Sequence, residues 1–580
     1  MCRIHGQFNA DVSPAELRRV AAAQRHGGPD GTGHARGPRW ALGANRLAVT
    51  DPAGGRQPYE LFGGAITVVF NGELYNHDEL RRDLTARGYP FTDRCDGSIL
   101  PALYHCYGDR FVEHLDGMYA IAVLDQRASP RLLLVTDHIG MKPLYYSRRG
   151  DALYFASELP ALLAFGAVPA EPWLPGLDAY LATKTPFGEQ TMFAGIRVLP
   201  PASTAVCDRT GFRVVRRPPN STVDSDVRET LRREVRRLLV ADVPVATITS
   251  GGLDSSLVTA LAAEQGPVHT FNIAYRGTWP GDERHFAERV AAHTGAVYHQ
   301  VEIDPRDFPD LLAGTVRHLG QPNADPITLS SYALFAAVRD AGFTVALTGD
   351  AADELFAGYG RMRAAAHAGE NWLRSYVDAL GVLPAGARRS LYTSDYAAEV
   401  AETPGLDQLR DGPGSPLRRI MAFEQAYRLP AYHLRRVDHL SMASSVEARL
   451  PFCQPGVVRA AAALPDESLI DGTGVKRALY RAARGLLPAA VLNRPKQPFT
   501  LPVTAMLAPG WPLWDLVTDL LEPHRLRSAG QVEPATVATL LARQAERPDD
   551  TTALTIWALA VHELWREQTL ALRQNEEVAA

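Results

Sequence analysis

A glycine- and serine-rich run, SGGLDSS at residues 250–256, has the composition of a loop that binds phosphate groups. It follows an apolar strand-like segment and precedes a helix-like one. Glycine would let the backbone approach a phosphate, and the helix N-terminus would supply free N–H donors. Asp254 repels a phosphate, so its presence predicts a bridging Mg²⁺ ion. The run is not the GxxxxGK[ST] pattern, which the chain lacks. An ordinary Gly–Ser turn with a helix cap is the alternative.

A second acidic run, LTGDAADELFAGY at residues 347–359, also follows a strand-like segment. Ligands bind at the carboxyl ends of strands in an open parallel sheet. We therefore expect four carboxylates at one edge: Asp350, Asp353, Glu354 and Asp254. Of these, Asp254 would come from the remote end of the sheet. A solvated surface turn is the alternative, and the neighbouring Leu-Phe pair and Tyr359 argue against it.

Cys2 becomes the first residue if the initiator methionine is removed. Its α-amino group, with an ordinary pKa of about 7.7–8.0, would then accept the proton of its own thiol. An inert thiol is the alternative. The segment FNGELY favours a nucleophile, because the Asn71 side chain and the Gly72 N–H would form an oxyanion hole. Two charged residues would hold the carboxylate and the ammonium group of a free amino acid: Arg46 and Asp96.

Lysine is rare in this chain, which meets most of its need for positive charge with arginine. The four lysines among 60 basic residues are Lys142, Lys184, Lys476 and Lys496. A lysine that survives such a bias is a candidate for a role that arginine cannot fill, and chance is the alternative. The last two flank a helical segment, where a compact ammonium group suits developing charge on a phosphate. A solvated helix residue is the alternative for Lys476.

The first part of the chain, residues 1–205, is predicted to be a strand-rich domain. Short β-type runs are separated by Gly, Asp and Pro, and Asn76–Arg87 has helical spacing. Two packed sheets with flanking helices would bury these apolar runs. Proline-rich segments bracket a hairpin-like segment, AVCDRTGFRVVR, and we place the linker at residues 206–222.

From residue 223 the hydrophobic period changes. An amphipathic helix comes first, and strand-like segments at 244–250, 268–275 and 343–350 then alternate with helical ones. This alternation predicts a parallel sheet covered by helices. The tail after residue 360 is mostly helical and Ala/Leu/Arg-rich. The second predicted domain spans residues 223–580.

Length and composition narrow the class of protein. The chain has 580 residues with 46% hydrophobic and 22% charged side chains, as expected for several globular domains. A net charge of -5 gives no electrostatic case for nucleic acid. We see no membrane span and no signal peptide, and five scattered cysteines indicate neither a disulfide framework nor a zinc site. We expect a cytoplasmic enzyme without nucleic-acid or membrane partners.

Taken together, the motifs resemble the glutamine-hydrolysing asparagine synthetase family, which joins a class II glutamine amidotransferase to an ATP pyrophosphatase-type synthetase domain. The matching stretches run in the same order along nearly the whole chain: MCRI, RHGGPDGTG, NRLAVTDPAGGRQP, FNGELYNHDELR, LDGMYAIAVLD, GMKPLYY, FASE, SGGLDSS, GDAADELFAGY, RRVDHLSMASSVEARLPF and RPKQPF. The resemblance implies a two-domain α/β fold, with an Ntn-type αββα glutaminase sandwich before a parallel-sheet domain of the adenine nucleotide α-hydrolase-like type.

The resemblance also implies roles for single residues. The catalytic positions are Cys2, Asn71, Gly72, Asp350 and Lys496. The positions that bind glutamine are Arg46, Leu47, Thr50, Asn71, Gly72, Glu73 and Asp96. The positions that bind ATP are Ile248, Ser250, Gly251, Gly252, Asp254, Ser255, Ile273, Thr348, Gly349 and Lys476. Asp254 and Asp353 would hold Mg²⁺, and Lys496 would stabilise charge during adenylation.

The implied ligase reaction has two halves. Ammonia released from glutamine at Cys2 would pass through a tunnel to an acyl-adenylate, giving an amide, AMP and pyrophosphate. The acceptor would be aspartate or a related small carboxylic acid, with ATP and Mg²⁺ as cofactors. The resemblance leaves a homodimer open.

Four departures from the family's pattern fall on the acceptor side and the domain interface, by our expectation. This chain has GDAADE where the family has GEGSDE, and Arg3 where the family has Gly or Ser. It has TDHIG where the family has RDRFG, and PFCQ where the family has PFLD. They favour a non-aspartate acceptor from a specialised pathway. One further alternative is an ATP-dependent cyclase like the β-lactam synthetases, which needs no glutaminase, and Cys2 argues against it. Another is a regulatory protein with a degenerate glutaminase, and the intact SGGLDSS argues against that.

Overall fold

The structure is a computed structural model. It describes residues 1–218, 226–400, 409–410, 412–494 and 501–579, and the side chains of the last helix as far as residue 572. The strands of these residues are β1 Cys2–Phe8, β2 Gly31–Gly37, β3 Trp40–Arg46, β4 Tyr59–Leu61, β5 Ile66–Leu74, β6 Gly117–Asp125, β7 Arg131–Thr136, β8 Tyr145–Arg149, β9 Ala152–Ala156, β10 Ile196–Val198, β11 Ser203–Asp208, β12 Gly211–Arg216, β13 Val245–Ile248, β14 His269–Tyr275, β15 Val297–Ile303, β16 Val345–Leu347 and β17 Glu447–Arg449.

The α-helices of the same residues are α1 Pro14–Ala23, α2 His77–Ala86, α3 Leu100–Tyr107, α4 Leu159–Leu163, α5 Gly176–Thr183, α6 Val227–Leu238, α7 Leu253–Ala263, α8 Arg284–Thr294, α9 Phe308–Leu319, α10 Ile327–Asp340, α11 Ala352–Leu355, α12 Gly360–Ala366, α13 Trp372–Asp378, α14 Ala385–Arg389, α15 Ser394–Glu399, α16 Pro416–Phe423, α17 Arg435–Ala443, α18 Pro455–Ala463, α19 Arg477–Ala483, α20 Ala489–Leu492, α21 Val503–Met506, α22 Pro512–Leu520, α23 Pro523–Ala529, α24 Pro534–Glu546 and α25 Asp550–Ala579. A π-helical segment, Glu424–Leu434, joins α16 to α17.

The first unit is a sandwich of two antiparallel six-stranded sheets, ordered β10-β8-β9-β1-β3-β2 and β12-β11-β7-β6-β5-β4. Every residue of β5 and of β6 is buried. Both faces of these strands are covered, which explains why their sequences are continuous apolar runs. Helices α2 and α3 pack on the outer face of the second sheet, and α1 and α4 pack on the first. The predicted αββα layering is confirmed.

The second unit is built on one five-stranded parallel sheet, ordered β15-β14-β13-β16-β17. The predicted alternation of strands and helices is confirmed. The expectation that Asp254 lies at the remote end of the sheet is wrong, because β13 and β16 are neighbours. Strand β16 is also shorter than expected, since the chain leaves the sheet after Leu347.

Helix α6 shows how sequence pattern sets the packing of the second unit. Its apolar stripe, with Leu231 and Leu238 at its centre, is buried, and its arginines lie on the other face. The Asp226 side chain accepts a hydrogen bond from the Glu229 N–H at 3.1 Å and so caps the helix. Helix α7, in contrast, is almost wholly buried, and its sequence is correspondingly apolar on all sides.

The two units share an interface that contains buried charges. Arg3 is completely buried and reaches Glu158 at 2.6 Å and Asp438 of α17 at 2.6 Å. Lys142 donates to the second oxygen of Asp438 at 2.9 Å. The guanidinium of Arg3, one of the departures named above, therefore joins the first strand to the second unit.

Replacing Arg3 with Met is expected to lower the free energy of unfolding by about 3–5 kcal/mol, because it leaves two buried carboxylates without this partner. Urea denaturation followed by circular dichroism measures the change. Arg374→Met is the matched control, since Arg374 is exposed and, among the described residues, pairs only with Asp378 of its own helix. Its effect should stay within about 0.5 kcal/mol. Equal effects of the two substitutions would contradict the role given to the Arg3 ion pairs.

In the part of the chain that the structure describes, no helix has the length and apolar character required to cross a bilayer.

Candidate active sites

Cys2 lies at the start of β1, opposite Arg46 of β3. Its backbone N–H donates to the side-chain oxygen of Asn71 at 3.2 Å, and the Gln57 amide donates to its sulfur at 3.0 Å. Burial raises the pKa of the thiol, and the neighbouring positive charges of the amino terminus and Arg46 oppose that rise. The Gln57 amide is thus a directed donor to the sulfur.

The other predicted glutamine-binding residues surround this sulfur. The Arg46 guanidinium donates to the Thr50 and Asp51 carbonyl oxygens at 3.2 and 2.8 Å. The Thr50 hydroxyl donates to Glu73 at 2.6 Å. Arg46 and Asp96 are both close enough to influence the Cys2 thiol electrostatically. The structure therefore brings these predicted positions together at one place.

Backbone contacts position the remaining residues of this first site. The Leu47 N–H donates to the Met1 carbonyl at 2.7 Å, and the Leu74 N–H donates to Asp96 at 2.8 Å. Gly72 lies next to Asn71 on β5, opposite Tyr119 of β6. In this form of the chain the Cys2 nitrogen is an amide, so the predicted free amine requires loss of Met1.

Glu73 connects the first site to the second unit. Burial, together with the carboxylates of Asp96 and Glu447, raises the pKa of Glu73 to about 8. Its other oxygen lies 3.9 Å from the Arg449 guanidinium on β17. A residue predicted to bind glutamine therefore also contacts the parallel-sheet unit.

SGGLDSS lies at the edge of a cavity of about 590 Å³ in the second unit. The run connects β13 to the N-terminus of α7. Gly251 has φ 79°, and a Cβ there would come within 2.6 Å of Phe286 Cβ. A Cβ on Gly349 would come within 2.6 Å of the Ser255 N atom, so the loop after β16 packs directly on the first turn of α7. Only glycine permits these approaches.

Most of the predicted ATP-binding and metal-binding positions line this one cavity: Ile248, Ser250, Gly252, Asp254, Ser255, Ile273, Thr348, Gly349, Asp353 and Lys476. The predicted catalytic residue Asp350 lines it as well. Gly251 contributes its carbonyl, which accepts a hydrogen bond from Arg494 at 3.1 Å. Two loops distant in sequence therefore form one site. Lys496 lies outside the described residues, and its role stays a prediction.

Lys476 lies between the two carboxylates predicted to bind metal. Its ammonium nitrogen is 2.6 Å from Asp254 and 2.6 Å from Asp353, and only 2% of the side chain is exposed. Burial alone would lower the pKa of Lys476, but these two carboxylates raise it above its ordinary value. The alternative of a solvated helix residue is wrong.

The residues around Lys476 fit a divalent cation held together with phosphate oxygens. The second carboxylate oxygen of Asp254 is buried and has no hydrogen-bond partner among the residues that the structure describes. The described residues contain no group of three or more His, Cys, Asp and Glu side chains that would complete a metal site alone. Mg²⁺ is commonly bound by one or two carboxylates with substrate phosphates supplying further oxygens.

The far side of the cavity contains charged residues that sequence reasoning missed. Arg436 pairs with Asp325 and lies 3.8 Å from Asp350. The ring of His433 is 2.8 Å from Glu354. Arg436 lies within the quoted motif RRVDHL, which was the available signal. The contacts of Arg436 with Asp325 and of His433 with Glu354 join segments that are far apart in the sequence, so no local pattern reveals them.

The loop of Asp350 carries backbone strain. Ala351 has φ 76°, in the left-handed region that favours glycine. Glu354 is buried against His433 and Tyr359, which hold its pKa below the ordinary value although burial opposes them. Glu354 is thus engaged with His433, whereas Asp353 pairs with Lys476 and Asp350 lies near Arg436.

Two of the departures expected on the acceptor side contact each other instead. The His138 ring of TDHIG lies 2.8 Å from the Cys453 carbonyl of PFCQ. Neither residue forms part of the cavity wall. These two departures therefore lie at the domain interface, where they were also expected, and not in the cavity wall.

Comparisons with known proteins agree with this arrangement. A family model described as asparagine synthase matches residues 226–567, and one described as a glutamine amidotransferase domain matches residues 1–217. The chain is 31% identical over 493 residues to glutamine-hydrolysing asparagine synthetase 3 of Bacillus subtilis, with 79% of each chain covered. It is 26% identical over 529 residues to asparagine synthetase B of Escherichia coli, which covers 86% of this chain and 82% of that one.

Proposed function

Because the chain belongs to the family of glutamine-hydrolysing asparagine synthetases, we propose that its two sites divide ATP-driven amide formation between them. The αββα unit is a glutamine amidotransferase domain, and the parallel-sheet unit is a synthetase domain. ATP, glutamine and an acid acceptor are the substrates. We also propose which residues act at each step, which metal takes part and which acceptor is used.

At the first site the Cys2 thiolate attacks the side-chain carbonyl carbon of glutamine, the C–N bond breaks, and the nitrogen leaves as ammonia with the proton taken from the thiol. Water then hydrolyses the glutamyl thioester, which releases glutamate and restores the thiol. Once Met1 is removed, the free α-amine of Cys2 takes the thiol proton. Asn71 and Gly72 stabilise the oxyanion, while Arg46 and Asp96 hold the glutamine carboxylate and ammonium groups. The hydrogen bond from Gln57 to the sulfur supports the same chemistry, because it favours the thiolate.

At the second site a carboxylate oxygen of the acceptor attacks the α-phosphorus of ATP, and pyrophosphate leaves. When bound, Mg²⁺ neutralises phosphate charge and orients the leaving group. Asp254 and Asp353 would hold it, and the Lys476 ammonium would pair with the phosphate oxygens that enter between them. Ammonia then attacks the acyl carbon, loses a proton and displaces AMP.

The placement of Lys476 between Asp254 and Asp353, beside a glycine-rich loop, carries this proposal. A buried ammonium flanked by two carboxylates is set up to exchange partners with an anionic ligand and its metal. Neither the cyclase alternative nor the regulatory alternative requires Cys2 with its glutamine-binding residues beside such a cavity.

Pyrophosphate release with ATP, Mg²⁺, glutamine and a panel of carboxylic acids tests the proposal, with product mass as the second readout. Release must depend on an acid and on glutamine or ammonium. Release without either nitrogen source would favour the cyclase alternative, and hydrolysis of glutamine alone would contradict the synthetase role.

Aspartate is the first acceptor to test, and Asp350→Glu probes the acceptor site. The longer side chain displaces the carboxylate by roughly 1 Å, so we expect kcat/KM for aspartate to fall by about 10²-fold. Steady-state kinetics with product mass measures the change, and exposed Asp340→Glu on α10 is the control. A gain in asparagine formation by Asp350→Glu would instead support a non-aspartate acceptor.

A cytoplasmic location and a homodimeric state stay predictions from the sequence. Cell fractionation and light scattering of the purified chain test them.

A further inference from the structure

Lys184 reaches the synthetase cavity from the glutamine amidotransferase half of the sequence. It follows α5, a helix whose residues are all buried. The Lys184 carbonyl accepts a hydrogen bond from the Ala324 N–H at 2.8 Å, and the preceding carbonyl, of Thr183, accepts one from Arg428 at 3.1 Å. The Lys184 side chain lines the same cavity as SGGLDSS. A segment of the first half thus completes the wall of the second site.

The other cations on this side of the cavity already have carboxylate partners. Arg361 lies 2.6 Å from one oxygen of Glu424, and Arg428 lies 3.4 Å from the other. Arg436 pairs with Asp325. Glu424 therefore serves two guanidinium groups, and Asp325 is engaged with Arg436.

The Lys184 ammonium forms no ion pair or hydrogen bond with any of the residues that the structure describes. Burial, together with the positive charges of Arg428 and Arg361, lowers its pKa to about 8, although the Asp325 carboxylate opposes this. A partly buried cation without a partner is costly unless a ligand supplies the opposite charge.

The backbone conformation at this position also disfavours lysine. Lys184 has φ 67°, in the left-handed region where glycine is favoured. The chain has only four lysines, and the structure gives two others, Lys142 and Lys476, buried carboxylate partners. A lysine kept at a strained position in the wall of a cavity points to a ligand.

We propose that Lys184 is a specificity-determining residue that binds a second anionic group of the acceptor, so that the acceptor is an acid with two such groups. One carboxylate is adenylated near Asp350 and the phosphate-type loop, and the other pairs with Lys184. The inference rests on the proposed function, since it assigns the acceptor to this cavity, but its test does not require turnover.

Calorimetric titration with two acids of equal carbon number isolates the second carboxylate. Succinate has two carboxylates and butyrate has one. Binding is measured to the full chain with Mg²⁺ and a non-hydrolysable ATP analogue. We expect succinate to bind at least about 10-fold more tightly, the range of a charge-assisted hydrogen bond, and Lys184→Met to remove this preference. Lys184→Arg should retain part of it.

Arg197→Met is the matched control, because Arg197 is an exposed cation of the following strand, β10. It should leave the preference for succinate unchanged. Affinity for the ATP analogue should be unchanged in all variants. A loss of ATP analogue and butyrate affinity together with succinate affinity in Lys184→Met would mean a structural role and would overturn the proposal.

The pH dependence of succinate binding provides a second readout. The charged and titratable groups that face Lys184 are Asp325 before α10, Arg361 on α12, and Arg428, Tyr432 and His433 on the π-helical segment. Because the ammonium is present below its pKa, wild-type affinity should fall as the pH rises through about 8. In Lys184→Arg the affinity should stay level over that range, since guanidinium remains charged.

The outcomes separate this inference from the proposed function. Equal wild-type affinity for succinate and butyrate overturns the role of Lys184. A Lys184-dependent preference for succinate supports it. If that preference is found but no acid supports pyrophosphate release, the ligand-binding role stands and the proposed function fails.

Discussion

Replacement of Cys2 with alanine is expected to lower glutamine-dependent synthesis by about 10⁴-fold or more, while synthesis from added ammonium salt continues at the wild-type rate. The sulfur is the only group proposed to form a bond to glutamine, and loss of a nucleophile typically has an effect of that size. The Cys2 side chain lies in the first unit and does not line the synthetase cavity, whose lining residues other than Lys184 all come from the second unit. The second half-reaction should therefore not depend on the thiol.

Two measurements check this result: glutamate formation from glutamine and amide formation with each nitrogen source. Cys207→Ala is the matched control, because Cys207 is a buried cysteine of the same unit on β11. It should retain both activities. If Cys2→Ala keeps its fold but loses ammonium-dependent synthesis as well, the division of labour between the two sites is wrong.

The second large effect is expected for Asp254→Asn, which should lower both glutamine- and ammonium-dependent synthesis by about 10³-fold or more. The amide has nearly the same shape as the carboxylate but lacks the charge that a divalent cation and the Lys476 ammonium require. Glutamine hydrolysis without synthesis should survive. Lys476 retains Asp353 as a partner, so the fold is expected to persist.

Pyrophosphate release at saturating ATP and glutamate formation are the two readouts for Asp254→Asn. The control is Asp310→Asn, an exposed carboxylate in the first turn of α9 that does not line the cavity. Wild-type pyrophosphate release by the Asp254 variant would remove this carboxylate from the proposed metal site. A greater requirement for Mg²⁺ in the variant would strengthen the assignment.

Local sequence patterns predicted the two loops that line the cavity of the second unit. SGGLDSS and GDAADE each combine residue types whose chemistry is readable without the fold, and the structure brings both loops to one cavity. The strands β5 and β6 could also be predicted locally, because their unbroken apolar runs require other elements to pack on both faces.

Contacts between distant segments were not predictable in this way. Lys476 contacts Asp254, which lies 222 residues away in the sequence. The helical sequence around Lys476 was equally consistent with a solvated side chain and with a phosphate-binding one. Gln57 lies within the stretch NRLAVTDPAGGRQP, but nothing in that stretch indicates its hydrogen bond to the Cys2 sulfur, and Lys184 lies in none of the matching stretches. The order of strands in the parallel sheet was also misjudged, because alternation of strands and helices fixes the type of sheet but not which strands are neighbours.

The buried ion pairs at the interface have a consequence for how this protein can change in evolution. Arg3, next to the proposed nucleophile, is neutralised in part by Asp438, which lies two residues from Arg436 in the synthetase cavity. A recombinant that joined this first half to a second half without that carboxylate would bury a guanidinium deprived of one partner. The two halves are thus expected to be inherited together, and an altered acceptor would arise through substitutions within the chain more readily than through exchange of a whole half.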